Sequence, residues 1–152
     1  MQLVLLGAVG LAAMMAVEAG MTPNRAATVP VAGPDPGLVT RIAGRWKGER
    51  TTSISARPLD FTMYWHATPD GDVTGTVRPK GERAYPVKVV WSSDTAFIYE
   101  SAPHMSHLLH ERVVTRGVAH FKGHEILGSF EARPTRYEGK TISGKFSAAR
   151  LS

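Results

Sequence analysis

Three of the chain's six histidines, His104, His107 and His110, fall three residues apart in segment 103–111, PHMSHLLHE, with Glu111 directly after them. Imidazoles bind metals and titrate near pH 6.5, so this spacing is open to metal ligation and to a pH response. Drawn out as a strand, the segment turns His104 and His110 one way and His107 the other. Wound into a helical turn, it gathers the three in an arc of about 120° and stacks His107 on Glu111 four residues later. A structural zinc takes four ligands and a catalytic zinc commonly three plus water. His124, in a separate turn, is the further candidate, so the metal set open to the sequence is His104, His107, His110, Glu111 and His124. Zinc or haem would suit such a set, although nothing in the chain requires a cofactor. The segment also has a plainer use, because Met105, Leu108 and Leu109 could cover an apolar opening while the histidines face water. Such a lid would loosen as its histidines charge below neutral pH. A polar loop with no role is the third alternative.

Other chemistries find less support. Cysteine is absent, which removes disulfides, thiolate metal sites and a cysteine nucleophile. There is no G-x-S-x-G elbow, and Ser129 in LGSFEAR sits in a strand pattern with no implied base. Asp70 and Asp72 belong to a turn, Glu125 and Glu131 alternate outward, and no glycine-rich phosphate loop opens a helix. The formal charge is +5, yet the 18 Lys and Arg are dispersed among acids and form no basic stripe for nucleic acid. The chain therefore reads as a binding module rather than an enzyme.

The elements that must position these residues begin after a distinct leader. Residues 3–17, LVLLGAVGLAAMMAV, are uncharged, too short to span a bilayer and suited to the apolar core of a secretory signal. Residues 1–19 are expected to direct export to the periplasm or the medium, and to touch a membrane only if they stay uncleaved. Residues 20–37, rich in Pro, Gly and small side chains, read as a flexible arm. A single domain follows over 38–152, of a size that supports one core.

Its period is two. In residues 59–66, LDFTMYWH, Leu59, Phe61, Met63 and Trp65 share one face and the polar residues the other. Turn residues then separate DVTGTVR, RAYPVKVVW, TAFIYES, RVVTRGVAHF, EILGSFEAR and TISGKFSAAR, with GRWKGERTTSI as the first strand. Eight short strands joined by tight turns predict an all-β, antiparallel up-and-down barrel, in which closure removes the exposed edges. In-strand glycines 75, 117, 128 and 144 permit the coiling that a small barrel needs.

The segment AGRWKGE, with Gly44 and Trp46, resembles the Gly-x-Trp signature of the calycin superfamily, and Arg150 in SAARLS matches the basic residue that packs across that Trp in those families. The resemblance implies a lipocalin-like eight-stranded barrel closed at one end by Trp46 and Arg150, holding a small apolar molecule. Alternation offers Phe61, Met63, Trp65, Tyr85, Trp91 and Phe130 as core filling or as a ligand wall, with His104, His107 and His110 at the mouth. Small periplasmic metalloprotease inhibitors are also similar to this plan, which would make residues 20–37 an arm for a protein partner.

Overall fold

The computed structural model describes residues 35–136 and 139–152. The expected signal and all but the last residues of the expected arm lie outside them. Among the described residues no helix is long and apolar enough to cross a membrane.

One helix and nine strand segments follow in order: α1 (Pro36–Ile42), β1 (Gly44–Thr52), β2 (Ser55–Ala67), β3 (Val73–Pro79), β4 (Tyr85–Ser92), β5 (Ala96–Ser101), β6 (His104–Ser106), β7 (Glu111–Lys122), β8 (Glu125–Pro134) and β9 (Ile142–Arg150). All pairings are antiparallel, β9 returns to β1, and β5 pairs with β7, so the sheet closes on itself. The short β6 is not an additional wall strand. It continues β5 along the same partner, with the register slipping by one residue between the Glu100↔Arg116 and His104↔Val113 pairs. The barrel is thus the eight-stranded one that the alternation predicts.

Phe61, Met63 and Trp65 are buried while Thr62, Tyr64 and His66 are exposed, as a half-buried strand requires. Trp65 meets Phe97 and Tyr99 edge-on with centroids 5.7 and 5.8 Å away, and Phe146 meets Phe61 at 6.0 Å. Edge-to-face pairs of this kind add to the burial of the rings themselves. Gly117 makes the packing possible, because a Cβ there would overlap the Tyr99 ring.

One end of the barrel is sealed. Trp46 and Arg150 are register partners on β1 and β9, and the guanidinium carbon lies 4.7 Å from the indole centroid. Arg150 also donates from Nη1 and Nη2 to the carbonyls of Ala43 and Arg41, while Trp46 Nε1 donates to the Ile42 carbonyl at 2.8 Å. Gly44 turns the chain from helix into strand with φ +117°, and a Cβ there would sit 3.0 Å from Arg150 Nη1. Both residues of the Gly-x-Trp pattern therefore have a local physical reason.

The Pro/Gly-rich composition that predicts an arm through Gly37 predicts no helix there. Instead Asp35 caps α1 through its side chain at Gly37 N, Pro36 occupies the first turn, and Leu38 and Ile42 are buried in the barrel's end. Arg41 lies over the Phe121 ring at 4.1 Å and donates to the Asp94 carbonyl, fixing the helix across the sheet.

Removing the guanidinium tests this seal. Arg150→Ala is expected to lower the unfolding free energy by about 2 kcal/mol in thermal or urea unfolding, through loss of the indole contact and two carbonyl hydrogen bonds. Arg150→Lys should recover only part, since an ammonium lacks the planar fork. Unchanged stability in Arg150→Ala would refute the account.

Candidate functional site

The opposite end of the barrel is the mouth, and PHMSHLLHE stands over it as a β-hairpin. β6 pairs with the start of β7, and residues 107–110 form the tip. His110 closes the turn with φ 57° and its N–H donates to the Ser106 carbonyl at 2.8 Å. Leu108 and Leu109 pack against Val113, Ala132 and Ile142, a small apolar cluster separate from the main core. The hairpin therefore roofs part of the mouth through its leucines, while Met105 remains exposed.

The histidines do not converge. His104 lies flat on the Tyr85 ring, centroids 3.6 Å apart and planes within 3°, and its Nε2 is 3.1 Å from the Thr115 hydroxyl. His107 and His110 are exposed on the turn, and His124 is exposed in the β7–β8 turn at the sealed end. Among the described residues no three His, Asp or Glu side chains group as a metal site. The spacing of three fails to gather them because the backbone there is strand and turn, not helix.

Beneath the hairpin the barrel is filled rather than hollow. A cavity of about 30 Å³ lies at the rim, bordered by Arg50, Tyr85, His104, His107, Leu108 and Phe130 among others. A second of about 20 Å³ lies between Phe61, Met63, Tyr99 and Phe146, and Arg50, Tyr85, Thr115 and Phe130 border both. Each has room for roughly one to three waters, far less than the several hundred Å³ of a drug-sized pocket. Haem has no room inside.

Two residues expected on the ligand wall are corrected. Trp91 is 51% exposed on the outer surface. The register slips between Val89 and Trp91, and one extra residue reverses the alternation so that Trp91 pairs with outward-facing Ile98. Trp65 does face inward but is fully buried in the sealed half and borders neither cavity. The remaining apolar candidates, Phe61, Met63, Tyr85 and Phe130, do meet at the two cavities.

Polar groups that the pattern of apolar residues does not single out also line the two cavities. Arg50 follows Trp46 and Gly48 on the inward face of β1, where it lines both cavities with its guanidinium carbon 5.9 Å from the Phe130 centroid. Its Nε is buried with no hydrogen-bond partner, and so is Thr52 Oγ1 on the same face. The alternation G-R-W-K-G-E-R-T-T carried this signal, masked by the usual placement of arginine on surfaces. Thr115 is buried and its N–H donates to Ser101 Oγ at 2.8 Å, supplying a bond just where β5 leaves β7.

Burial sets the electrostatics. The Tyr85 phenol is pushed up to about 12, chiefly by desolvation, with Arg50 and Thr115 pulling the other way. Tyr99, fully enclosed, is raised further by the same cause. His104 is lowered to about 4 by burial, opposed by a backbone hydrogen bond at Met105 and reinforced by the charges of Arg50 and Arg112. At neutral pH the mouth holds the neutral ring of His104 and the neutral phenols of Tyr85 and Tyr99 beside the Arg50 guanidinium, with Glu82 at the rim.

Comparison with family models finds no match, and comparison with curated proteins finds none. Among solved structures the chain is similar to a redesigned β-barrel, with 13% identity, a TM-score of 0.48, and coverage of 79% of this chain and 100% of that one.

The depressed His104 pKa has a directional consequence. In the closed hairpin His104 takes a proton only near pH 4, whereas released it does so near its ordinary 6.5. The released state therefore binds more protons between these values, and the closed packing, fully favoured above about 6.5, weakens as pH falls toward 4. Amide exchange at residues 105–110, corrected for intrinsic rates, is expected to quicken from pH 7 to pH 5. His104→Phe, which keeps a flat ring on Tyr85, should abolish that dependence. The same pH response in both proteins would remove His104 as its source.

Proposed function

We propose that this chain is an exported, calycin-like barrel that acts without catalysis, binding a small, partly apolar ligand at its mouth beneath the β6–β7 hairpin. The apolar run over residues 3–17 and the Gly44-x-Trp46 pattern with Arg150 motivate the export and calycin parts of the proposal. The observation that carries the binding part is the pair of adjoining cavities at the mouth. They have apolar walls of Phe61, Met63, Phe130 and Phe146 and polar atoms from Arg50, Tyr85, His104 and Thr115. An apolar enclosure with a few converging polar groups is the usual form of a small-molecule site.

Magnitudes limit what the apolar wall can do alone. Burying about 100 Å² of ligand surface at roughly 25 cal/mol per Å² contributes about 2.5 kcal/mol. That corresponds to an affinity weaker than millimolar. A useful ligand must either lift the hairpin and bury more surface or engage the polar atoms.

Titrating isotopically labelled protein with a panel of small amphiphiles checks the location. Amide shifts are expected at Tyr85, Thr115, Phe130 and residues 104–108, and Phe130→Ala should weaken the same compounds several-fold or more. Shifts confined to the outer face around Trp91, or none with any compound, would sink the proposal.

A further inference from the structure

Arg50 is an uncommon residue to find inside a small barrel. Its Nε is buried without a partner, and among the described residues no carboxylate reaches ion-pairing distance of its guanidinium. Glu82 also borders the rim cavity but makes no such pair. Arg50 is half-buried, yet a donor atom buried without an acceptor is costly to a fold, and an apolar residue of similar volume would avoid that cost. The position makes sense if an acceptor arrives from outside: water in the free barrel, and a ligand when one is bound.

The surroundings specify that acceptor. A planar guanidinium presents parallel N–H groups that match the two oxygens of a carboxylate. Around the shared part of the two cavities stand Tyr85 and Thr115, both with hydroxyls, and Thr52 borders the rim cavity with its own oxygen unpartnered. The phenol stays protonated and able to donate at neutral pH. His104 faces the same cavity as a neutral ring, so it adds no charge near pH 7. On the inner side, Phe61, Met63, Val77 and Phe146 offer only apolar surface.

We infer that the mouth binds the carboxylate of a small apolar acid, with Arg50 as its anchor, Thr52 and Tyr85 as hydroxyl partners, and the short apolar body directed into the inner cavity. This rests on the proposed binding barrel and names the ligand class for that site. Cavities of about 30 and 20 Å³ accept roughly three to five heavy atoms between them, so butyrate, with six, fits with a slight outward movement of the hairpin. Longer acids must displace the hairpin to enter.

The test compares butyrate with its neutral isosteres butyramide and butanol, following the Arg50 Nε–H resonance and the mouth amides. Butyrate is expected to shift that resonance, to bind at least tenfold more tightly than either isostere, and to weaken as salt rises. Arg50→Gln should lose at least tenfold in butyrate affinity and leave butanol unchanged. Arg50→Met, which removes the unsatisfied donor, should abolish butyrate binding while raising the melting temperature. Thr52→Val should weaken butyrate with the fold intact. If the isosteres bind as well as butyrate, or Arg50→Gln keeps full affinity, the carboxylate inference falls while the binding barrel stands. If no compound perturbs the mouth, both fall. A lower melting temperature in Arg50→Met would make Arg50 a structural residue and overturn its role as anchor. Should the substitutions prevent folding, the wild-type comparison of acid with isosteres decides alone.

Discussion

Closure of the sheet at the β1–β9 seam governs the rest of the molecule. The first and last strands meet over seven residue pairs from Trp46↔Arg150 to Thr52↔Gly144, and a chain that failed to make them would leave two long edges open. Trp46, held by the Ile42 carbonyl, and Arg150, held by those of Ala43 and Arg41, fix that seam at its sealed end. Their hydrogen bonds also draw α1 across the opening. Closure, register and plug are therefore one set of contacts, and the interior becomes a single apolar column running away from them.

That column is packed unevenly. Near the seal, Trp46, Trp65 and Phe97 are essentially inaccessible to solvent. Toward the mouth the composition changes, with Arg50, Tyr85, Thr115 and His104 replacing part of the hydrocarbon and two small cavities appearing among them. Uniform packing would have been more stable, since each unsatisfied buried polar atom costs about 1 to 3 kcal/mol. Departures from local economy of this kind concentrate where a protein binds something. The hairpin above has the matching character: it rests on the barrel through Leu108, Leu109 and His104, and β6 pairs on one side only, with β7 over three residues.

Much of this was legible in the residues. The period of two across 59–66, the turns at Pro69-Asp70-Gly71 and between β7 and β8, and the in-strand glycines all correspond to observed elements. The contact of Arg150 with Trp46 was expected through a family resemblance and not from periodicity or turns, and the two do meet. The helix start at Asp35-Pro36 was also written in the sequence, as a cap followed by proline, but lay hidden in a Pro/Gly-rich context. Arg50 was legible by register and concealed by its chemistry. Among the mouth candidates, Phe61, Met63, Tyr85, Phe130, His104 and His107 do border the cavities, whereas His110 does not.

What the chain determined by itself was the alternation of faces, the places where it turns, and therefore an antiparallel meander with one apolar side. These follow from backbone stereochemistry acting over two to four residues. Only the tertiary structure decided that the interior is filled, that a bulge at Val90 sends Trp91 outside, and that His104 leaves the other histidines to stack on Tyr85. Each of those outcomes depends on which side chains from distant strands arrive at the same place and how much volume they leave. No local pattern carries that sum.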